Sequence, residues 1–244
     1  MEKISIQKLK WIKSLQLKKN RDKEDCFIVE GEKIGKECMR SIPDDIGLIG
    51  CIAEVEDLLP KTLRDKSFIL SYKEFERVSR LKTPNKLILV IKKPSIISFN
   101  PDKKFLILEN IQDPGNLGTI IRTADWFGIE QIVCSPECAD VFNSKTLQAS
   151  MGSFLRVTVH YKDLIPFLEH TKYNVTGALL DGEFLKDGSM KNSNAIMLGN
   201  EGQGISKSLE KFCNNPVKIP GLGGAESLNV SIAASILMYE WTKK

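Results

Sequence analysis

The chain is predicted to be an α/β protein whose C-terminal part is a parallel sheet with helices on both faces, preceded by a small α/β domain. Three observations predict this. From Phe105 onward, short and nearly continuous apolar runs alternate with helical stretches, the pattern of parallel strands covered on both sides. Three of those runs break at glycine just before polar residues and a helix start, the place where an open α/β sheet meets its ligands. Between the two parts, Pro94-Ser-Ile-Ile-Ser-Phe-Asn-Pro101-Asp-Lys-Lys loses all periodicity and reads as a linker. The expected organisation is a domain over 1–93, a linker over 94–103 and a second domain over 104–244.

Each element has its own warrant. Leu9, Ile12 and Leu15 lie on one face of a basic amphipathic helix, and Phe27-Ile-Val is a candidate strand. A helix is expected from about Ile34 to Met39, and strands at Leu48 to Ala53, Phe68 to Leu70 and Leu87 to Ile91. In the second domain the apolar runs predict strands at Phe105 to Leu108, Gln131 to Cys134, Val175 to Leu180, Ala195 to Leu198 and Val217 to Ile219. The last helix, from about Leu228 to Trp241, is apolar over more than one stripe, which predicts packing on two sides, against the sheet and a partner subunit.

The 244 residues suffice for a sizeable core, and 42% hydrophobic with 27% charged residues is the balance of a soluble globular protein. No apolar run approaches the roughly 20 residues that cross a bilayer, and the charged start lacks a secretory pattern. A cytoplasmic location without membrane contact is therefore expected. The net charge of +4 divides unevenly: residues 1–104 carry 23 Lys/Arg against 16 Asp/Glu, and the rest carry 12 against 15. Eight of those basic side chains fall within the first 23 residues. Singly, each lysine is a solvated helix face; clustered, they point to an anionic partner. The six cysteines form no C-x-x-C pair and have no nearby histidine, so no metal is expected and free thiols are the simpler account.

Several chemistries are disfavoured. His160 and His170 have no Ser or Cys elbow beside them, which argues against a histidine-based hydrolase. Neither a P-loop nor a complete GxGxxG fingerprint is present; Glu226 stands where the third glycine after Gly221 and Gly223 would be. The polar residues at the elbows are Asn116, Arg122, Glu201, Ser227 and Asn229. Asn116 opens a helix, and Arg122, six residues on, is expected on nearly the same face. An arginine there can grip phosphate in a forked geometry. Glu201 stands among Gly199, Gly202 and Gly204, which allow backbone to approach a ligand closely. Ser227 can cap the last helix. Each has an ordinary structural role as an equal alternative; together they define one site.

Three segments carry a resemblance. Asn116-Leu-Gly-Thr-Ile-Ile-Arg122-Thr-Ala, Leu198-Gly-Asn-Glu-Gly-Gln-Gly-Ile-Ser and Ile219-Pro…Glu226-Ser-Leu-Asn-Val-Ser-Ile-Ala-Ala are similar, in order and spacing, to the signature motifs of the SpoU family of S-adenosylmethionine-dependent RNA methyltransferases, within the SPOUT superfamily. Leu17-Lys-Lys-Asn-Arg followed by Phe27-Ile-Val-Glu-Gly resembles the small substrate-binding domain of the rRNA-modifying branch. The resemblance implies a C-terminal trefoil knot, a homodimer in which both subunits complete the site, and methyl transfer to a ribose 2′-hydroxyl of RNA, rRNA before tRNA. It implies a donor pocket involving Leu198, Gly199, Gly202, Ile219 and Leu228, lined also by the strand end at Gly177-Ala178, with Arg122, Asn116, Glu201, Ser227 and Asn229 around the reacting ribose. The first domain would capture RNA through Lys10, Lys13, Lys18, Lys19 and Arg21. Two other readings stay open, an RNA-binding protein that has lost catalysis and a metabolic enzyme using another nucleotide.

Overall fold

The structure, a computed structural model, describes residues 2–81, 83–95, 97–170 and 172–243. The chain divides into two compact units, Met1–Ile96 with Phe142–Leu155, and Ile97–Val141 with Arg156–Lys244.

The first unit holds a five-stranded sheet. Its elements are β1 (Glu2–Lys3), α1 (Ile6–Ser14), α2 (Lys18–Glu24), β2 (Cys26–Glu30), α3 (Glu32–Ser41), β3 (Ile46–Cys51), β4 (Ser67–Ile69), α4 (Tyr72–Val78) and β5 (Leu87–Lys92). The strand order is β1-β4-β3-β5-β2, with β5 antiparallel to both neighbours. Leu87 to Ile91 are all buried, as a central strand covered on both faces requires. Ser71 and Glu74 form a reciprocal capping box that starts α4.

A short helix, α6 (Ser144–Ser150), also belongs to this unit although it lies deep in the second half of the sequence. Phe142 and Phe154 flank it and both meet the buried ring of Phe27, at centroid distances of 4.5 and 5.9 Å. Leu147, 2% exposed, joins the same core. The expected 1–93 domain does not include this segment, because its apolar residues announce burial without saying against what. Leu147→Ala should therefore act as a core truncation and cost about 2–5 kcal/mol. Denaturant unfolding reads this directly; a loss of a few tenths would mean that the segment is a surface loop.

The second unit is built from β6 (Phe105–Leu108), α5 (Pro114–Trp126), β7 (Gln131–Cys134), β8 (Thr158–Tyr161), α7 (Leu164–Glu169), β9 (Val175–Phe184), β10 (Ala195–Leu198), α8 (Lys207–Glu210), β11 (Cys213–Lys218) and α9 (Val230–Thr242). Its six strands run in the order β11-β9-β10-β6-β7-β8 and every pairing is parallel. Strands β6, β7 and β10 are buried along their whole length. The parallel α/β class expected for this part is what the structure has. The second half of the expected linker is part of this unit: Asn100 exchanges hydrogen bonds with the Gln131 side chain at 2.7 and 2.9 Å, and Phe99 packs edge-on against Phe105.

Helix α9 begins later than expected. Asn229, not Ser227, is its N-cap, accepting from the Ser231 N–H at 2.9 Å and the Ser231 hydroxyl at 2.6 Å. It packs on α5, where the Thr123 and Ser235 hydroxyls lie 3.4 Å apart. Its indole Trp241 donates to the Ser193 carbonyl at 3.3 Å.

Candidate active site

In a parallel sheet all carboxyl ends lie along one edge, so the loops after β6, β10 and β11 emerge together. The loop after β6 leads into α5. Asp113 caps that helix by accepting from the Asn116 N–H at 2.8 Å, and Pro114 occupies the first helical turn, where no N–H is needed. Before it, Asn110 turns the chain with a left-handed φ of 55°, and its N–H is held by the Ser135 hydroxyl at 3.0 Å.

The loop after β10 is a tight closed turn. Asn200 and Gly204 exchange backbone hydrogen bonds at 3.0 and 2.9 Å, and the Asn200 side chain accepts from the Gly202 and Gln203 N–H groups. Its amide donates to the Asn110 carbonyl at 3.0 Å, joining this turn to the loop after β6. Glu109 adds a second tie by accepting from the Ser206 N–H at 2.8 Å. At Gly199 a Cβ would stand 2.1 Å from the Gly204 carbonyl, so only glycine fits this crossing.

Three of the expected polar residues meet in a relay. The Asn229 amide donates to the Asn116 Oδ1 at 3.0 Å, and the Asn116 amide donates to Glu201 Oε1 at 2.9 Å. Its polarity follows from helix α9. The helix start needs an acceptor, which turns the Asn229 oxygen inward and its Nδ2 toward Asn116. Asn116 must then present its oxygen to Asn229 and its Nδ2 to the Glu201 carboxylate. One side chain from each motif thus joins a directed chain of donors and acceptors.

The remaining two stand apart from it. Ser227 is exposed and makes no side-chain hydrogen bond to another described residue. Arg122 does not share a face with Asn116: six residues at about 100° each fall some 120° short of two full turns. Its exposed guanidinium has no hydrogen-bond or ion-pair partner among the described residues. One turn further along the same face is Trp126, 85% exposed.

Of the expected donor-binding residues, Leu198 is buried at the end of β10 and Gly199 is locked in the crossing described above. Gly202 lies exposed in the turn, Ile219 is half-buried just past β11, and Leu228 is exposed beside the Asn229 cap. Gly177 lies within β9, where its Cβ position would meet the Cys213 side chain at 2.4 Å. Around Gly221, Gly223 and Gly224 a Cβ would meet nothing within 4 Å, which leaves their backbone groups open to a ligand. Exposed peptide groups next to Leu222 and Leu228 suit a flat, partly apolar group such as an adenosyl moiety.

Sequence reasoning missed Asn200, Glu109 and Asp113, which staple the loops. The Asp-Pro-Gly-Asn order was the readable sign for Asp113; nothing local marks the other two. His160 lies in the outermost strand β8, two strands across from β6, buried against Phe99, and burial and Lys162 lower its pKa. Among the described residues no three His, Cys, Asp or Glu side chains cluster as metal donors.

In the first unit, Lys10, Lys13, Lys18 and Lys19 are exposed on α1 and α2. Lys18 pairs with Asp22 at 2.7 Å. Arg21 is a correction: it is 4% exposed and donates to the Leu15 and Gln16 carbonyls at 3.0 and 2.9 Å. It satisfies the carbonyls left open at the end of α1 and is not available to a phosphate.

Fold and site together are those of a parallel α/β protein whose polar, glycine-rich loops gather at the carboxyl ends of its strands. Residues 103–239 match the model of the SpoU rRNA Methylase family, and residues 7–89 match that of the MRM3-like substrate binding domain. The chain belongs to the SpoU rRNA methylase family. A relative from Bacillus subtilis (strain 168), the 23S rRNA (guanosine(2553)-2'-O)-methyltransferase RlmP, is 34% identical over 247 residues, covering 98% of this chain and 97% of its own. A TrmH-family structure from Porphyromonas gingivalis superposes with a TM-score of 0.86 at 33% identity, covering 98% of each chain. An AdoMet-bound rRNA methyltransferase from Sinorhizobium meliloti gives a TM-score of 0.82 at 26% identity, covering 99% of this chain and 96% of that one.

Proposed function

We infer that this protein transfers a methyl group from S-adenosylmethionine to a ribose 2′-hydroxyl of rRNA. The observation that carries the reading is the relay Asn229–Asn116–Glu201, which unites all three motif segments beside open glycine backbone. The family and the full-length similarity to a 23S rRNA enzyme support RNA as substrate, and 23S rRNA is the first RNA to test. A catalytically dead RNA binder is the weaker reading, since none of the five polar positions is replaced.

S-adenosylmethionine, when bound, supplies an electrophilic methyl group on a sulfonium centre. Leu198, Gly199, Gly202, Ile219 and Leu228 would hold it, with backbone groups of the two glycine-rich loops as hydrogen-bonding partners. An alcohol is a weak nucleophile, so the residues must hold it in line and favour its alkoxide. Arginine stays protonated in proteins, so Arg122 is assigned as a cation that binds the adjacent phosphate and stabilises the developing alkoxide, while the hydroxyl proton passes to solvent water. Asn116 and Asn229 orient the ribose through the relay, Glu201 anchors its far end, and Ser227 lends an exposed hydroxyl.

The position of Arg122 supports a homodimer in which this side chain serves the partner's site. Helices α5 and α9 present an apolar face, with Trp126, Tyr239 at 57% and Ile232 at 50% exposure, of the kind that marks subunit contacts. The C-terminal crossing from β11 back to α9 fits the trefoil threading of this superfamily. The protein would act in the cytoplasm; among the described residues no helix is long and apolar enough to cross a membrane.

Lys10, Lys13, Lys18 and Lys19 are assigned to phosphate contacts. Changing all four to glutamine should weaken RNA binding and lower the slope of log affinity against log salt by about 0.7–0.9 for each phosphate no longer neutralised. Filter binding across a salt series measures this, and an unchanged slope returns the lysines to an ordinary solvated face.

A further inference from the structure

The amino ends of β9 and of the edge strand β11 carry a cleft of about 530 Å³ that the methyl transfer does not use. It opens where β9 begins at Val175 and β11 begins at Cys213, which are register partners. Because the sheet is wholly parallel, this is the end opposite the catalytic loops, separated from them by the length of the strands. At about 3.3 Å per residue that is on the order of 13 Å along β10.

The cleft's groups are those that grip a single nucleic-acid strand. Lys172 and Lys211 stand exposed on its rim. Lys172 has no ion-pair partner among the described residues. Lys211 reaches Glu169 only at 3.9 Å, with both side chains more than half exposed, so that pairing leaves it free to bind an anion. Its ammonium lies 4.9 Å from the centre of the Phe212 ring, which places a cation and an aromatic surface together. Tyr173, which also lines the cleft, is fixed edge-on against Phe105 at 4.9 Å. Asn214 accepts from the Val175 N–H at 3.2 Å through its Oδ1, which turns its Nδ2 outward as a donor. Two ammonium groups for phosphates, two rings for bases and an amide for a base edge or phosphate make up the set that binds unpaired RNA.

We propose that this cleft binds a single-stranded segment of the substrate RNA remote from the modified nucleotide. The proposal rests on RNA being the substrate and adds a second RNA-binding surface on the methyltransferase unit itself.

The test compares the full-length protein with its K172A/K211A variant. Both positions are exposed, so the variant should keep wild-type unfolding behaviour. Fluorescence anisotropy with an oligouridylate across a salt series should show weaker binding. The slope of log affinity against log salt should fall by about 1.4, the share of two phosphates on a single strand. With 23S rRNA as substrate, KM should rise several-fold while kcat stays at the wild-type value. Identical affinity and slope in the two proteins would overturn the proposal. So would adenosine monophosphate binding in the cleft without any effect of the variant on oligouridylate, which would assign it to a free nucleotide. A wild-type protein that transfers no methyl group, yet loses oligouridylate binding on K172A/K211A, would overturn the assigned reaction and leave the cleft as an RNA site.

Discussion

Arg122→Ala yields a protein that folds and binds S-adenosylmethionine but transfers its methyl group about 10²–10³ times more slowly, the usual loss when one stabilising donor leaves a developing oxyanion. The side chain is exposed and unpartnered among the described residues of its own chain, so its removal leaves the fold and the donor loops untouched. Lysine should not restore the rate, because a point charge cannot reproduce the two parallel bonds of a guanidinium on phosphate. Isothermal titration with the donor and single-turnover transfer to RNA separate the two effects. Methylation near the wild-type rate would remove Arg122 from the mechanism.

Gly199→Ala should do the reverse. The added methyl carbon would lie 2.1 Å from the Gly204 carbonyl group and 2.2 Å from the Ile205 nitrogen, all backbone atoms with no rotamer to change. The turn that holds Glu201 must open, and overpacking of this kind costs about 1–3 kcal/mol. Carried into donor affinity, that is roughly a ten- to hundredfold rise in Kd. Unchanged affinity would mean that this turn does not touch the donor. The two variants also test each other. If Arg122 serves the partner's site, mixing them forms dimers in which one site has both an intact donor loop and an arginine. Activity should then return to about a quarter of wild type when subunits pair at random. If Arg122 acts within its own subunit, the mixture stays inactive.

Much of this was legible in the residues. Strands β6, β7 and β10 have the bounds expected from their apolar runs, because central parallel strands must be apolar on both faces. Strand β8, Thr158–Tyr161, carries no such signal, because it lies at the sheet edge and mixes polar with apolar residues. The motif positions brought Asn116, Glu201 and Asn229 into one site, but their hydrogen-bond polarity required the cap of α9 to be placed at Asn229 rather than Ser227. Charge counting marked the first helices as a surface for an anionic partner, yet it could not separate Lys19 from Arg21, one exposed and the other spent on carbonyls. Nor could local pattern show that Leu147 fills the first unit's core, since that depends on neighbours more than fifty residues away in sequence.

Alkaline hydrolysis distinguishes a methyl group on a ribose hydroxyl from one on a base. The purified protein is incubated with unmodified 23S rRNA and S-adenosylmethionine labelled on its methyl group, and the RNA is then hydrolysed with alkali. A 2′-O-methyl group blocks cleavage at its own nucleotide, so the label is expected in a single alkali-resistant dinucleotide, and to vanish with Arg122→Ala. Label released in ordinary mononucleotides, which would place the methyl on a base, or no label in RNA at all, would rule out ribose methylation by this protein.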